Sequence, residues 1–210
     1  MTKKAVIFYG APGAGKGTQA EMFAADKGYV HFDSGKYIEA KIRDPKFAGD
    51  PMVTKQRKLF LSGKLCDPKW IGGIVKDHIE KLVDHHEGLV FSGSPRTERE
   101  AFGARGDIGV IPFLEDKYGK EDILVFLLEI PVAESVERNS KRGREGLDEP
   151  AVIRVRCREY KKLTLPILKE LRKRRIKVVR LDGMPSPKAV HREVMKRFKE
   201  FSASKIKTKK

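Results

Sequence analysis

The segment Lys-Ala-Val-Ile-Phe-Tyr at 4–9 runs directly into Gly10-Ala-Pro-Gly-Ala-Gly15-Lys16-Gly17-Thr18, and a helical pattern follows from Lys16 through Ala20, Met22 and Phe23. Nothing else in the chain restricts its fold as strongly. A strand that ends in closely spaced glycines and turns at once into a helix leaves backbone N–H groups pointing into a small concavity, with the positive end of the helix dipole behind them. Gly10, Gly13 and Gly15 supply the turns, Ala11, Ala14, Gly17 and Thr18 complete the cradle, and Lys16 has the reach to meet the β and γ oxygens of a bound triphosphate. The general pattern G-x-x-x-x-G-K-[ST] is not met to the letter, since Gly17 takes the hydroxyl position and Thr18 follows it. A glycine turn without function is the bland alternative, yet strand, glycines, lysine and helix all fall where phosphate binding needs them.

Four further segments, at about 29–32, 88–92, 122–130 and 176–181, are rich in β-branched and aromatic residues and read as strands. Four of the five candidate strands are nearly continuous apolar runs, the pattern of strands covered on both faces. Asp67-Pro68, Glu149-Pro150 and Ser186-Pro187 each place a capping or acidic residue before a proline suited to a first helical turn. The expectation is an α/β fold: a P-loop, doubly wound, five-stranded parallel sheet with helices on both faces and ligands beyond the carboxyl ends of its strands. Residues 34–84 hold too many helical turns for one crossover, and 141–149 form a charged, glycine-containing loop between helices. Both read as excursions able to move over a ligand.

The 210 residues suit one domain, and 40% hydrophobic with 35% charged residues places the chain among folded, soluble proteins. No apolar run is long enough to cross a bilayer and no cleavable signal opens the chain, so a cytoplasmic protein without membrane contact is expected. Cys66 and Cys157 stand far apart, without a metal-ligand partner at zinc spacing, and read as reduced thiols. The net charge of +16 draws phosphate-bearing partners of any kind. Part of it lies in Arg172-Lys173-Arg174-Arg175 and in the tail from Lys205 to Lys210, read as a solvated face and an end capable of weak nucleic-acid contact. His31, His78, His85 and His86, and Trp70 with Ile74, read as packing or solvent residues, and Phe8, Tyr9 and Phe32 as core.

Gly-Ala-Pro-Gly-Ala-Gly-Lys-Gly-Thr-Gln-Ala at 10–20 resembles the phosphate loop of the adenylate kinase family, where glycine then threonine after the lysine is usual. Phe32-Asp33-Ser34-Gly35 resembles the Ser-Thr-Gly stretch that opens the family's monophosphate-binding helices, and Gly63-Lys64-Leu65 the stretch that closes them. Ser92-Gly93-Ser94-Pro95-Arg96-Thr97 resembles Asp-Gly-Phe-Pro-Arg-Thr after the third strand, and Asp182-Gly183 the pair near the adenine ring. Glu137-Arg138 with Arg142, and Arg144 and Arg156 flanking Asp148-Glu149 and followed by Tyr160, resemble the arginines around a short lid. The likeness spans about residues 4–195.

The resemblance implies a monomeric nucleoside monophosphate kinase that moves the γ-phosphoryl of ATP, with Mg2+, to a nucleoside monophosphate, AMP in the first instance. It divides the chain into a core (1–33, 85–138 and 157–201), a monophosphate-binding region (34–84), a short lid (139–156) and a basic tail (202–210). Lys16, Arg96, Arg142, Arg144 and Arg156 are implied to be catalytic, Arg138 and Arg142 to touch ATP beside the loop, and Ser34, Gly35, Lys64, Gly93, Arg96, Glu100, Arg144 and Arg156 to touch the monophosphate. No metal ligand is assigned.

Three departures fall in the acceptor half. Glu39 replaces an arginine expected near the acceptor phosphate with an acid that repels it, with Lys36 or Arg43 one turn away as compensation; Glu100 falls at the glutamine that reads adenine, or one residue from it, and offers only acceptors, which suits a base other than adenine; and Ser92 replaces the acid that holds magnesium's water shell, leaving Asp33 either to supply that charge or to cap the helix at 34. Two other readings stay open: a P-loop kinase for a different small acceptor, and a nucleotide- or RNA-binding protein with little turnover.

Overall fold

The structure, a computed structural model, describes residues 3–83 and 88–204. His85, His86 and the tail from Lys205 lie outside them. In chain order the strands are β1 (Lys4–Gly10), β2 (Val30–Asp33), β3 (Gly88–Ser92), β4 (Gly103–Ala104), β5 (Asp107–Ile108), β6 (Ile123–Glu129) and β7 (Lys177–Asp182). The helices are α1 (Lys16–Lys27), α2 (Ser34–Arg43), α3 (Pro51–Leu61), α4 (Pro68–Val83), α5 (Glu98–Phe102), α6 (Val110–Tyr118), α7 (Val132–Arg142), α8 (Pro150–Glu159), α9 (Leu165–Lys173) and α10 (Pro187–Ser204). A wide helical turn, Tyr160–Thr164, joins α8 to α9.

Five strands form one parallel sheet in the order β2-β3-β1-β6-β7, and β4 pairs with β5 in a separate small hairpin. Every residue of β1 is buried, because both faces of this central strand are covered. Ala5, Ile7 and Tyr9 join Leu89, Phe91, Val125 and Leu127 in a core roofed by α2, α3, α4, α5, α6 and α9. Val6 and Phe8 point the other way, with Val90, Leu124 and Phe126, against Ala20 and Phe23 of α1 and Val194 and Phe198 of α10. Alternate residues of one apolar run therefore feed two cores. Trp70 and Ile74 pack on the first, and His78 stacks on Phe32 with ring centroids 4.1 Å apart. None of the described helices is long and apolar enough to cross a membrane.

Residues 34–83 fold as α2, a short turn at Pro45–Phe47, α3 and α4, the expected excursion between β2 and β3. Two of the three expected helix starts carry a side-chain cap: Asp67 Oδ1 accepts from the N–H of Lys69 and of Trp70, each at 3.0 Å, and Ser186 Oγ from Ala189 N–H at 3.3 Å. Glu149 sits at the cap of α8 without a side-chain bond to it, leaving Pro150 to set that start. The register aligns Asp33 with Ser92 and Ser92 with Phe8. The carboxyl ends of β2, β3 and β1 thus meet at one edge of the sheet, beside the switch in strand order where open α/β sheets bind ligands.

Candidate active site

The turn from β1 into α1 opens on a cleft of about 490 Å3. Gly10, Gly13, Gly15, Lys16, Gly17 and Thr18 line its floor; Ala11 and Ala14 do not, since Ala14 is buried in the second core and Ala11 contributes its carbonyl to the turn. Gly13 has φ 77°, and a Cβ there would come within 2.6 Å of Asn139 Nδ2, so both backbone and space call for glycine. Lys16 curls over its own loop, its ammonium donating to the carbonyls of Gly10 at 2.9 Å and Ala11 at 2.8 Å. These weak acceptors are what an incoming phosphate would replace.

Burial, reinforced by the positive charges of Arg96, Arg156 and Arg142 and opposed by Asp33, lowers the Lys16 pKa to about 7. A polyphosphate beside the ammonium would raise it again. Between about 7 and that raised value, binding must take up a proton, and affinity must fall as pH climbs through the window. Calorimetric titration with ATP at pH 8, in two buffers of different ionisation enthalpy, should show uptake approaching ~1 proton. Identical heats in the two buffers would mean that Lys16 is already charged.

Across the cleft stand Arg96, at the exit of β3, and Arg156, on α8, with Arg142 and Arg144 from the end of α7 and the loop after it. Arg138 also lines the cleft, donating to the carbonyls of Gly183 at 2.9 Å and Met184 at 3.2 Å, which ties α7 to the turn after β7. Gly93 has φ 90°, a conformation that favours glycine, and a Cβ there would stand 2.8 Å from Arg96 Nη2 and press that guanidinium aside. Arg96 Nε donates to the Gly93 carbonyl, and its own carbonyl accepts from Thr164 Oγ1 at 2.8 Å. Burial, then Arg96, Arg144 and Arg142, lower the Arg156 pKa to about 10. These cations outnumber the carboxylates of Glu21, Asp33 and Glu39 that share the cleft, so the site suits a multiply charged anion.

The anion that orders them is Asp148, whose side chain is 2% exposed. It accepts from Arg142 Nε at 2.9 Å and Nη2 at 2.5 Å, from Arg144 N–H at 2.9 Å, and from Arg156 Nη1 at 3.4 Å. Burial pushes its pKa up, but the bonds from Arg142 and Arg144 outweigh this and hold it below 3.8.

The acceptor half departs from the sequence-based expectations. Gly35 and Lys64 line the cleft, but Ser34 is buried and turns its hydroxyl to the Ser92 carbonyl, 3.5 Å away. Glu100 is buried outside the cleft, where its carboxylate accepts from Ser94 Oγ and from Arg96 N–H at 2.8 Å. Thr97 Oγ1 accepts from Glu100 N–H at 3.1 Å. Thr97-Glu98-Arg99-Glu100 is the S/T-x-x-E signature of a helix start, a local role for Glu100 that outcompetes reading a base. Burial raises its pKa despite these bonds. Lys36 pairs with Glu21 at 2.5 Å, and Arg43 with Glu39 at 3.3 Å, so neither compensates as a free cation.

Asp33 fills the capping role weighed for it. Oδ1 caps α2, accepting from Gly35 N–H at 2.9 Å and Lys36 N–H at 3.1 Å, while Oδ2 faces Gly17 of the loop. Ser92 Oγ shares a 2.8 Å hydrogen bond with His31 Nε2, a contact without a local sequence signal because it joins neighbouring strands. Burial keeps His31 below its usual pKa, so it is neutral near pH 7. Among the described residues no three His, Cys, Asp or Glu side chains gather to hold a metal. The Thr18 hydroxyl, Asp33 Oδ2 and Ser92 instead offer the sparse oxygen set that suits Mg2+ arriving on phosphates with most of its water. Cys66 and Cys157 are buried free thiols.

The model of the family described as adenylate kinase matches residues 8–176. Two proteins called adenylate kinase from strains of Prochlorococcus marinus are similar to the chain. One is 29% identical over 174 residues, covering 83% of the chain and 87% of that protein; the other is 31% identical over 166 residues, covering 79% and 83%. An adenylate kinase of Kosmotoga olearia is 28% identical over 227 residues, covering 93% of the chain and 99% of that protein.

Proposed function

From a chain that belongs to the adenylate kinase family and is a phosphotransferase, we propose the specific activity of a nucleoside monophosphate kinase, moving the γ-phosphoryl of ATP reversibly to AMP. The reading rests on one observation: the loop carrying Lys16 and the arginine group Arg96, Arg142, Arg144 and Arg156 face one another in a single cleft. That gives a donor phosphate chain and an acceptor phosphate each a bed of its own, with cations between them.

In this reading the triphosphate lies on the backbone N–H groups of the loop, and Lys16 leaves the Gly10 and Ala11 carbonyls for the β and γ oxygens. Arg96, Arg144 and Arg156 hold the acceptor phosphate, Arg142 covers the moving group, and Arg138 lies beside the base of the triphosphate. An acceptor phosphate oxygen attacks the γ phosphorus as the bond to the β–γ bridging oxygen breaks, leaving ADP and a nucleoside diphosphate. No protein base is required, because the attacking oxygen is already ionised. The arginines meet charge that spreads over the phosphoryl oxygens, and their planar forks bind such oxygens in pairs. Thr18, Asp33 and Ser92 are the residues that would hold the water shell of Mg2+ arriving with ATP, and the ion would supply neutralisation of phosphate charge. Closure of residues 34–84 and 139–156 keeps water from competing as acceptor.

With Glu100 turned into the core, the argument for a base other than adenine loses its carboxylate, so AMP stands first among acceptors. We place the enzyme in the cytoplasm as a monomer, consistent with buried reduced thiols and a cleft built within one chain. Incubation with MgATP and each of AMP, GMP, CMP and UMP, followed by nucleotide chromatography, should give ADP from AMP with the highest kcat/KM. Tight ATP binding with no monophosphate consumed would sink the proposal.

A further inference from the structure

Two contacts join α2 directly to the lid. Glu39 Oε2 lies 3.1 Å from Arg144 Nη1, with the two side chains 20% and 29% exposed, and Arg43, one turn along α2, donates to the Glu145 carbonyl at 3.2 Å. Glu39 also pairs with Arg43 at 3.3 Å, so one carboxylate links both halves of the clasp. Glu39 and Arg144 line the same cleft as Arg96 and Arg156. Arg144 is poorly satisfied in this arrangement: its Nε is buried without a hydrogen-bond partner and stands 3.8 Å from Asp148.

We propose that Glu39 is a built-in stand-in for the acceptor's phosphate, a residue that sets acceptor affinity by competing with the substrate for Arg144. This rests on the kinase reading above. In the free enzyme the Glu39 carboxylate occupies the arginine that the acceptor needs and holds α2 against the lid. An entering phosphate dianion offers Arg144 more charge and a second oxygen for its fork, so it displaces the carboxylate. Glu39 is then left with Arg43. Exchange of one anion for another keeps Arg144 paired throughout, at the cost of weaker acceptor binding than a cleft without the carboxylate would have. A donor phosphate chain, bound at the loop, has no such competitor.

The test is Glu39→Gln, which keeps the size of the side chain and removes its charge. KM for the monophosphate should fall about tenfold, while KM for ATP and the thermal midpoint stay close to wild type. An acceptor KM that is unchanged or higher overturns the proposal. Competition for Arg144 is separated from plain charge repulsion by titrating inorganic phosphate calorimetrically into the wild type, Glu39→Gln, Arg144→Gln and the double variant. Phosphate should bind more tightly after Glu39→Gln only when Arg144 is present; an equal gain without Arg144 overturns it. Because phosphate binding needs no turnover, these titrations decide the matter even if no monophosphate proves to be a substrate, an outcome that would remove the kinase reading instead.

Discussion

Replacing Lys16 with methionine is expected to lower kcat/KM for phosphoryl transfer by about 10³-fold or more. The side chain keeps its approximate length and loses the cation that, in the proposed kinase reaction, meets the phosphoryl group from the loop side of the cleft. Gly13 and its neighbours are untouched, so the backbone cradle survives and ATP affinity should drop by no more than about tenfold, because several N–H groups and the helix dipole still hold the phosphates. The loss then appears in kcat, the mark of an interaction made more strongly in the transition state than in the bound ground state. Initial rates with saturating monophosphate, beside calorimetric ATP binding, separate the two. Turnover within tenfold of wild type would remove Lys16 from the chemistry.

That Lys16 could be singled out from sequence follows from how local its setting is. β1, the loop and the start of α1 are consecutive, and every constraint on them comes from backbone geometry and from burial on both sheet faces. The other strands of the sheet each fall within about two residues of their expected places: β3 and β6 are buried almost throughout and read as apolar runs, whereas β2 and β7, at the two edges and only partly covered, read through their β-branched and aromatic residues. β4 and β5 were not legible: two residues each, turning at Gly106, they bury too little to leave a period in the sequence.

In the site, the cations were legible through motif spacing, whereas the anions they meet were not. Glu39 looked like a charge repelling the acceptor, and its partner Arg144 lies 105 residues away. Glu100 looked like a base reader, although the Thr97-x-x-Glu100 spacing was a helix-start signal in plain view. Pairing across an α/β fold depends on which loops the sheet brings together, and a linear pattern carries charge but not its partner.

Asp148 stands in the sequence between Arg144 and Arg156 without showing that it binds them, and Asp148→Asn is expected to lower kcat by about 10²-fold while leaving ATP binding within a few-fold. One buried carboxylate receives donors from Arg142, Arg144 and Arg156. Asparagine keeps the shape but turns one acceptor into a donor facing guanidinium N–H groups, so the arginines must shift from the positions the moving phosphoryl requires. Breaking such a pair from its buried side costs several kcal/mol, and partial exposure of Arg142 reduces this to ~2 kcal/mol, a fall of about 4–8 °C in Tm. The sign of the pH dependence follows from the lowered Asp148 pKa. Its stabilisation is complete above the unfolded value near 3.8 and is lost as pH falls through the lower native value. The gap in Tm between wild type and variant should therefore stay constant from pH 7 down to about 5 and close in more acidic solution. Equal kcat with an unchanged Tm at pH 7 would show that the three arginines hold their places without the carboxylate, and that Asp148 only fills the space between them.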